Sequence, residues 1–576
     1  MNYACLPQTS AQIALPAWRA RTLFFLLLLG MIALMARAFF LQGMHTDFLQ
    51  QKGDARYARV VEVPAHRGMI TDRNGEPLAI STPVDSVWAS PPDVVADIAQ
   101  LRQLARLLDT SAGNLKVRLA DTSREFVYLQ RQLPPDQARR VMALGIPGVS
   151  LQHEYRRYYP GGEVAAHLLG FTDVDDNGRE GLELALHDVL RGKPGSQRVI
   201  KDRRGRIVED VASLRAPKKG RDVALSIDSK LQFIAFREIK RAVIEHAAKA
   251  GSIAVLDAKS GEVLALANWP AFNPNNRTRP ASAAMRNRAV TDLFEPGSTM
   301  KPFVVATVLE EGKFKPESRV DTGNGTLVLS NRTIHDTHPA AFMSVSEVLQ
   351  KSSNVGAARL ALSLSPQVFW NHLRQSGFGG ETGCGFPGEA NGKLRSYQSW
   401  RPIEQATISY GYGISVNLLQ LARAYTVFAN DGELKPVSLL RQDAPPDGSR
   451  VYSAKTARAV RAMLELVVQP GGTAPLAQIP GYRVAGKTGT AHKLMNGKYV
   501  DRYIASFVGM APASNPRLIV AVMLDEPGGK EYYGGQLAAP VFAGVTGAAL
   551  QALDAPYDAP LDNVMPNPGP VAGEEI

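Results

Sequence analysis

Residues 481–490 read GYRVAGKTGT, and the first eight satisfy the phosphate-loop pattern G-x-x-x-x-G-K-[ST] through Gly481, Gly486, Lys487 and Thr488. Further on, LIVAVMLDEP (518–527) is an apolar run ending in Asp525 and Glu526, like the magnesium-binding strand end of a nucleotide enzyme. A phosphate loop needs 482–485 to turn tightly and a helix to start at Gly486 or Lys487. Tyr482, Arg483 and Val484 occupy that stretch, and Gly489 would interrupt the first helical turn. Their aromatic and β-branched content fits a strand instead. The stretch therefore reads as a strand delivering Lys487-Thr488-Gly489-Thr490 to a sheet edge, where an extended peptide can add. Lys487 brings positive charge, Thr488 and Thr490 bring hydroxyls, and Gly489 lets backbone approach closely.

The chain has 576 residues, enough for more than one domain. Apolar residues make up 45% and charged residues 21%, which is ordinary for a globular protein. The formal charge of +11 favours acidic surfaces in general without choosing among them. Cys5 and Cys384 are the two cysteines, so neither a disulfide framework nor a CxxC metal site is indicated. Cys384, in GCGFPG, reads as a small buried filler. HDTH (335–338) offers two histidines without an evident third ligand, a weak metal signature, and no metal is expected. The sequons at Asn276 and Asn331 read as coincidence.

TLFFLLLLGMIALMA (22–36) is uninterruptedly apolar. Continued to Leu41 it gives about 20 residues, or roughly 30 Å of helix, enough to cross a bilayer. Arg37 lies near its far end, where a long side chain can snorkel. A cleaved signal peptide is the rival reading, and the length of the run favours an uncleaved anchor. Arg19 and Arg21 flank one side and Lys52, Arg56 and Arg59 the other, so the positive charges leave the orientation open. The expected organisation is a stub (1–18), an anchor (19–42), an α/β pedestal (43–221), a catalytic domain (222–555) and a disordered tail (556–576). In the pedestal, EFVYLQRQL (125–133) alternates like a strand, and Asp136 opens a short helix. RRGRIVED and APKKGRD read as solvated hairpins or linkers. After 222, residues 229–250 form a helix. Residues 251–268 give two strands with a turn at Lys259-Ser260-Gly261, and 517–527 another strand. The fold class is α+β: an antiparallel sheet covered by helices, with an all-helical lobe inserted.

EPGSTMKPFVVATVLEEG (295–312) breaks at Pro296-Gly297 and enters a helix at Ser298. Ser298 and Lys301 share one helix face. A serine hydroxyl becomes nucleophilic when a neighbouring base takes its proton. A lysine serves if burial, a nearby cation and the helix N-terminus favour its neutral amine. In SVSEVLQKSSNVGAARL, Ser344 and Glu347 form a capping box. Ser352 and Asn354 then stand on the turn before a second helix, which either residue type could simply cap.

In chain order, Ser298/Lys301, Ser352/Asn354 and Lys487/Thr488/Gly489 resemble the S-x-x-K, S-D-N and K-T-G set of serine β-lactamases and penicillin-binding proteins. Ser353 stands where that formula has Asp. AHRGMITDRNGEPLA (65–79), YYPGGEVAAHLLGF (158–171), FPGEANG, AGKTGTAHK, FVGMAPASNPRL and YYGGQLAAPVF extend the resemblance to the class B penicillin-binding proteins, in particular the division-specific D,D-transpeptidases. Asn417 departs from the Thr expected there. The resemblance implies catalytic roles for Ser298, Lys301, Ser352, Asn354 and Lys487, and substrate binding by Thr488, Gly489 and Thr490, without a cofactor. It implies peptidoglycan stem peptides ending in D-Ala-D-Ala as substrates and β-lactams as inhibitors. It also implies an inner-membrane protein, single-pass, with its catalytic domain in the periplasm at the septum. Expected partners are a SEDS-type glycosyltransferase and other divisome proteins, not nucleic acid or ATP. The alternatives are an elongation-type transpeptidase, or a β-lactamase, carboxypeptidase or β-lactam sensor on the same Ser-Lys site.

Overall fold

The computed structural model describes residues 17–44, 58–201, 207–276 and 282–564. Most of the expected stub, Lys52 and Arg56, part of the RRGRIVED hairpin, the end of the first sequon and residues 565–576 lie outside the described residues. The chain forms two compact units, and the division is not a single cut near residue 222. One unit comprises Met1–Pro64, Val84–Glu154 and Pro194–Lys218; the other comprises Ala65–Pro83, Tyr155–Lys193 and Lys219–Ile576.

In the first unit, Ala17–Phe39 is a helix that passes into a π-turn at Phe40–Met44. The apolar span Ala17–Gln42 covers 26 residues with none buried, long enough to cross a bilayer. Elsewhere in this unit, the strand Val127–Leu133 pairs antiparallel with residues 85–89. The helices Ile98–Leu107, Ala112–Leu119 and Pro135–Met142 accompany it around Val87, Leu104, Leu115 and Leu129. Asp136 lies inside the last of these helices; Pro134 is its N-cap.

The second unit is built on a five-stranded antiparallel sheet: β1 (Ala250–Asp257), β2 (Val263–Trp269), β3 (Ala485–Met495), β4 (Lys498–Ala511) and β5 (Leu518–Asp525), in the spatial order β2-β1-β5-β4-β3. The apolar run of β5 is buried on both faces, which explains why it is continuous and not alternating. Val520 and Val522 face a core shared with the helices Ser229–Glu245 and Gly534–Ala552. Ile519 and Ala521, one residue out of step, face the opposite core with Met300, Phe303 and Tyr425. β3 is an edge strand of this sheet.

Three expectations change. The helix from Ser229 stops at Glu245, five residues early, because Ala247 adopts φ +46° and Ala248 N–H closes on the Val243 carbonyl, a left-handed cap without glycine. The inserted lobe is not all-helical: Arg319–Asp321 pairs with Phe342–Ser344, and Thr326–Leu329 with Arg332–His335. β3 starts at Ala485, with Lys487–Thr490 inside the strand and not after it.

Residues 65–83 and 155–193, both part of the second unit, are joined to each other by a buried ionic cluster. Arg67 donates to Glu183 from Nε at 2.8 Å, and Arg157 from Nε at 2.6 Å. Arg67 also donates to the Glu183 carbonyl, and Arg157 to the Gly68 carbonyl. All three side chains are out of solvent, which such charges tolerate only when paired and hydrogen-bonded.

Candidate active site

Three segments of the second unit converge. The first is a 3₁₀ turn, Gly297–Met300, running into the helix Lys301–Glu310. Gly297 has φ +58°, and a Cβ there would stand 3.1 Å from the Thr490 carbonyl oxygen, so glycine lets the nucleophile turn lie against β3. Tyr425 O–H donates to the Thr299 carbonyl at 2.8 Å and holds the turn from within the core.

The second segment is the break between the helices Val345–Gln350 and Asn354–Leu362. The Ser344/Glu347 capping box is present. Ser352 sits at φ +60°, a conformation that its surroundings must impose on a non-glycine residue. Ser353 is the N-cap: its Oγ accepts from Gly356 N–H and donates to Asp336 Oδ2 at 2.6 Å. Asp336 Oδ1 accepts from Val355 N–H. The Asp of HDTH thus fixes the Ser352 turn, and Ser353 faces away from the reactive groups.

The third segment is β3, where Lys487 pairs with Val508 and Thr488 with Phe507. With Gly486 through Thr490 all extended in the ladder, the phosphate-loop geometry is absent from this stretch. The magnesium-like strand end is also accounted for. Lys493 Nζ lies 2.6 Å from both Asp525 Oδ1 and Glu526 Oε1. Burial alone would raise the Glu526 carboxyl, but hydrogen bonds from Lys249 and Lys493 outweigh it and bring it down to about 2.

At the junction, Lys301 Nζ lies 2.9 Å from Ser298 Oγ and 3.0 Å from Ser352 Oγ, and it also donates to the Ser352 carbonyl. Lys487 Nζ donates to the same Ser352 Oγ at 2.8 Å. One hydroxyl therefore links two lysines, and both lysines are 0% exposed. Ser298, at 8%, keeps a small opening to solvent. Lys487 also reaches Thr488 Oγ1 at 3.1 Å, and Thr488 Oγ1 is 2.9 Å from Thr473 Oγ1. Thr490 Oγ1 accepts from Gly534 N–H. Gly489 lies under the nucleophile turn, where a Cβ would be 2.8 Å from the Pro296 carbonyl oxygen. Asn354 Nδ2 donates to the His335 carbonyl at 3.2 Å, and it is the Ser352 carbonyl that accepts from Lys301.

Thr473, Tyr425 and Asp336 complete the site without having been found from sequence. Thr473 and Tyr425 carry no spacing signal, and Asp336 lay in a motif weighed only for its histidines. Asn417 caps the helix Leu418–Ala424 by accepting from Gln420 N–H. Cys384 is buried, and burial together with the Glu389 carboxylate pushes its thiol up to about 11, in keeping with a filler.

Comparison with known proteins agrees with this geometry. Residues 251–547 match the family described as penicillin binding protein transpeptidase domain, and residues 62–225 match the penicillin-binding protein dimerisation domain. The chain is 42% identical over 552 residues to the peptidoglycan D,D-transpeptidase FtsI of Escherichia coli, covering 94% of this chain and 93% of that one. It is 44% identical over 525 residues to the probable peptidoglycan D,D-transpeptidase PenA of Neisseria meningitidis, with 90% of each covered. Among solved structures, the apo transpeptidase domain of Burkholderia pseudomallei penicillin-binding protein 3 matches at 49% identity and TM-score 0.54, over 58% of this chain and 98% of that one. A peptidoglycan synthetase of Bifidobacterium adolescentis matches at 25% identity and TM-score 0.70, over 88% and 99%. A buried Ser-Lys pair bridged to a second lysine on an edge strand, inside the matched transpeptidase domain of a chain that also carries the matched dimerisation domain, places the chain among the class B penicillin-binding proteins, the peptidoglycan D,D-transpeptidases.

Proposed function

We propose that Ser298 is the acyl-accepting nucleophile of a septal transpeptidase, with Lys301 as its base. The observation that carries this reading is the 2.9 Å contact between Lys301 Nζ and Ser298 Oγ inside a desolvated junction. Burial, the neighbouring Lys487 ammonium and the start of the helix Lys301–Glu310 all favour a neutral amine at Lys301. That amine takes the hydroxyl proton as Oγ attacks the carbonyl of the penultimate D-Ala. The backbone N–H groups of Ser298 and Thr490 stabilise the oxyanion. Ser352, between the two lysines, passes a proton to the leaving D-Ala nitrogen, and the D-Ala departs. Lys487, Thr488 and Thr490 hold the terminal carboxylate along the β3 edge, with Gly489 giving backbone access. Asn354 hydrogen-bonds the donor amide. An amine of a second stem peptide then attacks the ester, forming the cross-link and returning the proton to Ser298.

The apolar helix Ala17–Phe39 and the FtsI relatives support a single-pass inner-membrane protein whose catalytic domain works in the periplasm at the division septum. The SEDS-type glycosyltransferase and other divisome proteins are its proposed partners there, and β-lactams its inhibitors. The test is cross-linking by the full chain in detergent, with a stem-pentapeptide donor and an amine acceptor. The wild type forms the dimer, and Ser298→Ala forms none. Dimer formation by Ser298→Ala at more than about one-thousandth of the wild-type rate would remove the serine from the mechanism.

A further inference from the structure

Where β1 turns into β2 and β4 into β5, the second unit holds a cavity of about 410 Å³ that shares no residue with the junction around Ser298. Lys259 lines it from the first turn and Ser514 from the second. Asn430 ties the wall that follows the helix Thr426–Ala429 to the first turn by donating to the Ala258 carbonyl. Arg458 and Arg461, three residues apart on the helix Ala454–Val468, line it together. Asp431 accepts from both, at 2.5 and 3.4 Å. Glu433 is likewise divided, between Arg450 at 2.6 Å and Lys435 at 3.4 Å. Lys259 Nζ has no hydrogen-bond or ion-pair partner among the described residues. Asp257, the other carboxylate that acts on it, is paired with Arg517 at 3.0 Å. Five cations thus share two carboxylates, an excess of three positive charges in one concavity.

Like charges gathered in this way repel, most strongly where water is scarce. The side chains of Arg461 and Lys435 are only 12% and 13% exposed, and Lys259 is half-buried. Burial, and then the Arg461 guanidinium, lower the Lys259 pKa from its ordinary value. The guanidiniums are nonetheless held in place by backbone: Arg461 donates to the Phe428 carbonyl and Arg450 to the Asp431 carbonyl, each at 3.0 Å. A preformed cleft of one sign concentrates anions. No aromatic ring among the described residues lines it, so a nucleobase has nothing to stack on. We infer that this cavity binds a diphosphate group, free or esterified to a lipid. A diphosphate brings about three negative charges near neutral pH, which matches the excess. Its oxygens accept from guanidinium forks, and Lys259 supplies the point charge that no side chain neutralises. The site is separate from the chemistry proposed at Ser298 and does not depend on it.

The test is calorimetric titration of the full chain in detergent, with chelator present and ionic strength fixed. Three probes are used: inorganic diphosphate, farnesyl diphosphate and citrate, a carboxylate anion of similar charge. Inorganic diphosphate binds at one site with a Kd of about 100 μM or below, at least about tenfold tighter than citrate. Lys259→Ala weakens it by about tenfold or more, and the exposed Arg458→Ala by a smaller factor. Both variants keep the wild-type rate of acylation by benzylpenicillin, so the loss is one of binding and not of fold. Farnesyl diphosphate binding within about threefold of the inorganic anion assigns the site to the esterified group as well; binding of the inorganic anion alone assigns it to free diphosphate. Absence of one-site binding by either diphosphate, citrate binding as tightly, or Lys259→Ala within about twofold of the wild type overturns the inference.

Discussion

Lys301→Met lowers the second-order rate of acylation by benzylpenicillin by about 10³-fold or more, while the protein still unfolds cooperatively. Methionine keeps nearly the same length and fits a site with no exposure, so packing is preserved. What disappears is the amine 2.9 Å from Ser298 Oγ, the atom that takes the proton. It is also the group that ties Ser352 to the nucleophile through both its hydroxyl and its carbonyl. The turn at Ser352 remains anchored by Asp336 and the Ser353 cap, so the variant reports on chemistry and not on collapse of the turn. Stopped-flow acylation kinetics measure the effect. A loss below about tenfold would mean that another group deprotonates Ser298.

Glu183→Ala destabilises the second unit by about 3–5 kcal/mol, as expected when one member of a buried charge cluster is removed and its partners stay behind. Arg67 and Arg157 would keep the bonds to the carbonyl oxygens of Glu183 and Gly68 but lose both carboxylate oxygens. Glu183→Gln falls between, because the amide oxygen still accepts from one guanidinium. Urea unfolding of the full chain in detergent reads this as a lower midpoint for the transition of that unit. A shift worth less than about 1 kcal/mol would show that solvent or neighbouring groups take over the charge.

Parts of this molecule were legible because local physics leaves a local trace. The run LIVAVMLD announces a strand, the Ser344/Glu347 box marks a helix start, and the three-residue spacing of Ser298 and Lys301 puts both on one helix face. The GKTGT stretch could be separated from a phosphate loop by the residues before it. Other features have no local trace. The left-handed Ser352 depends on a cap from Asp336, 16 residues upstream. The contact between Thr473 and Thr488 joins chain segments that carry no shared pattern. Short pairs such as Arg319–Asp321 with Phe342–Ser344 are too brief to show a period of two, so the lobe read as purely helical. The joining of residues 65–83 to residues 155–193 rests on Arg67 meeting Glu183 across 116 residues, which spacing does not reveal.

The decisive measurement is peptide mapping of the intact wild-type chain after brief exposure to benzylpenicillin. One penicilloyl ester on the peptide carrying Ser298 is the predicted result, lost in Ser298→Ala. An adduct on any other residue, or none from protein shown to be folded, would contradict the convergence of residues 298, 301, 352 and 487 on a single reactive hydroxyl.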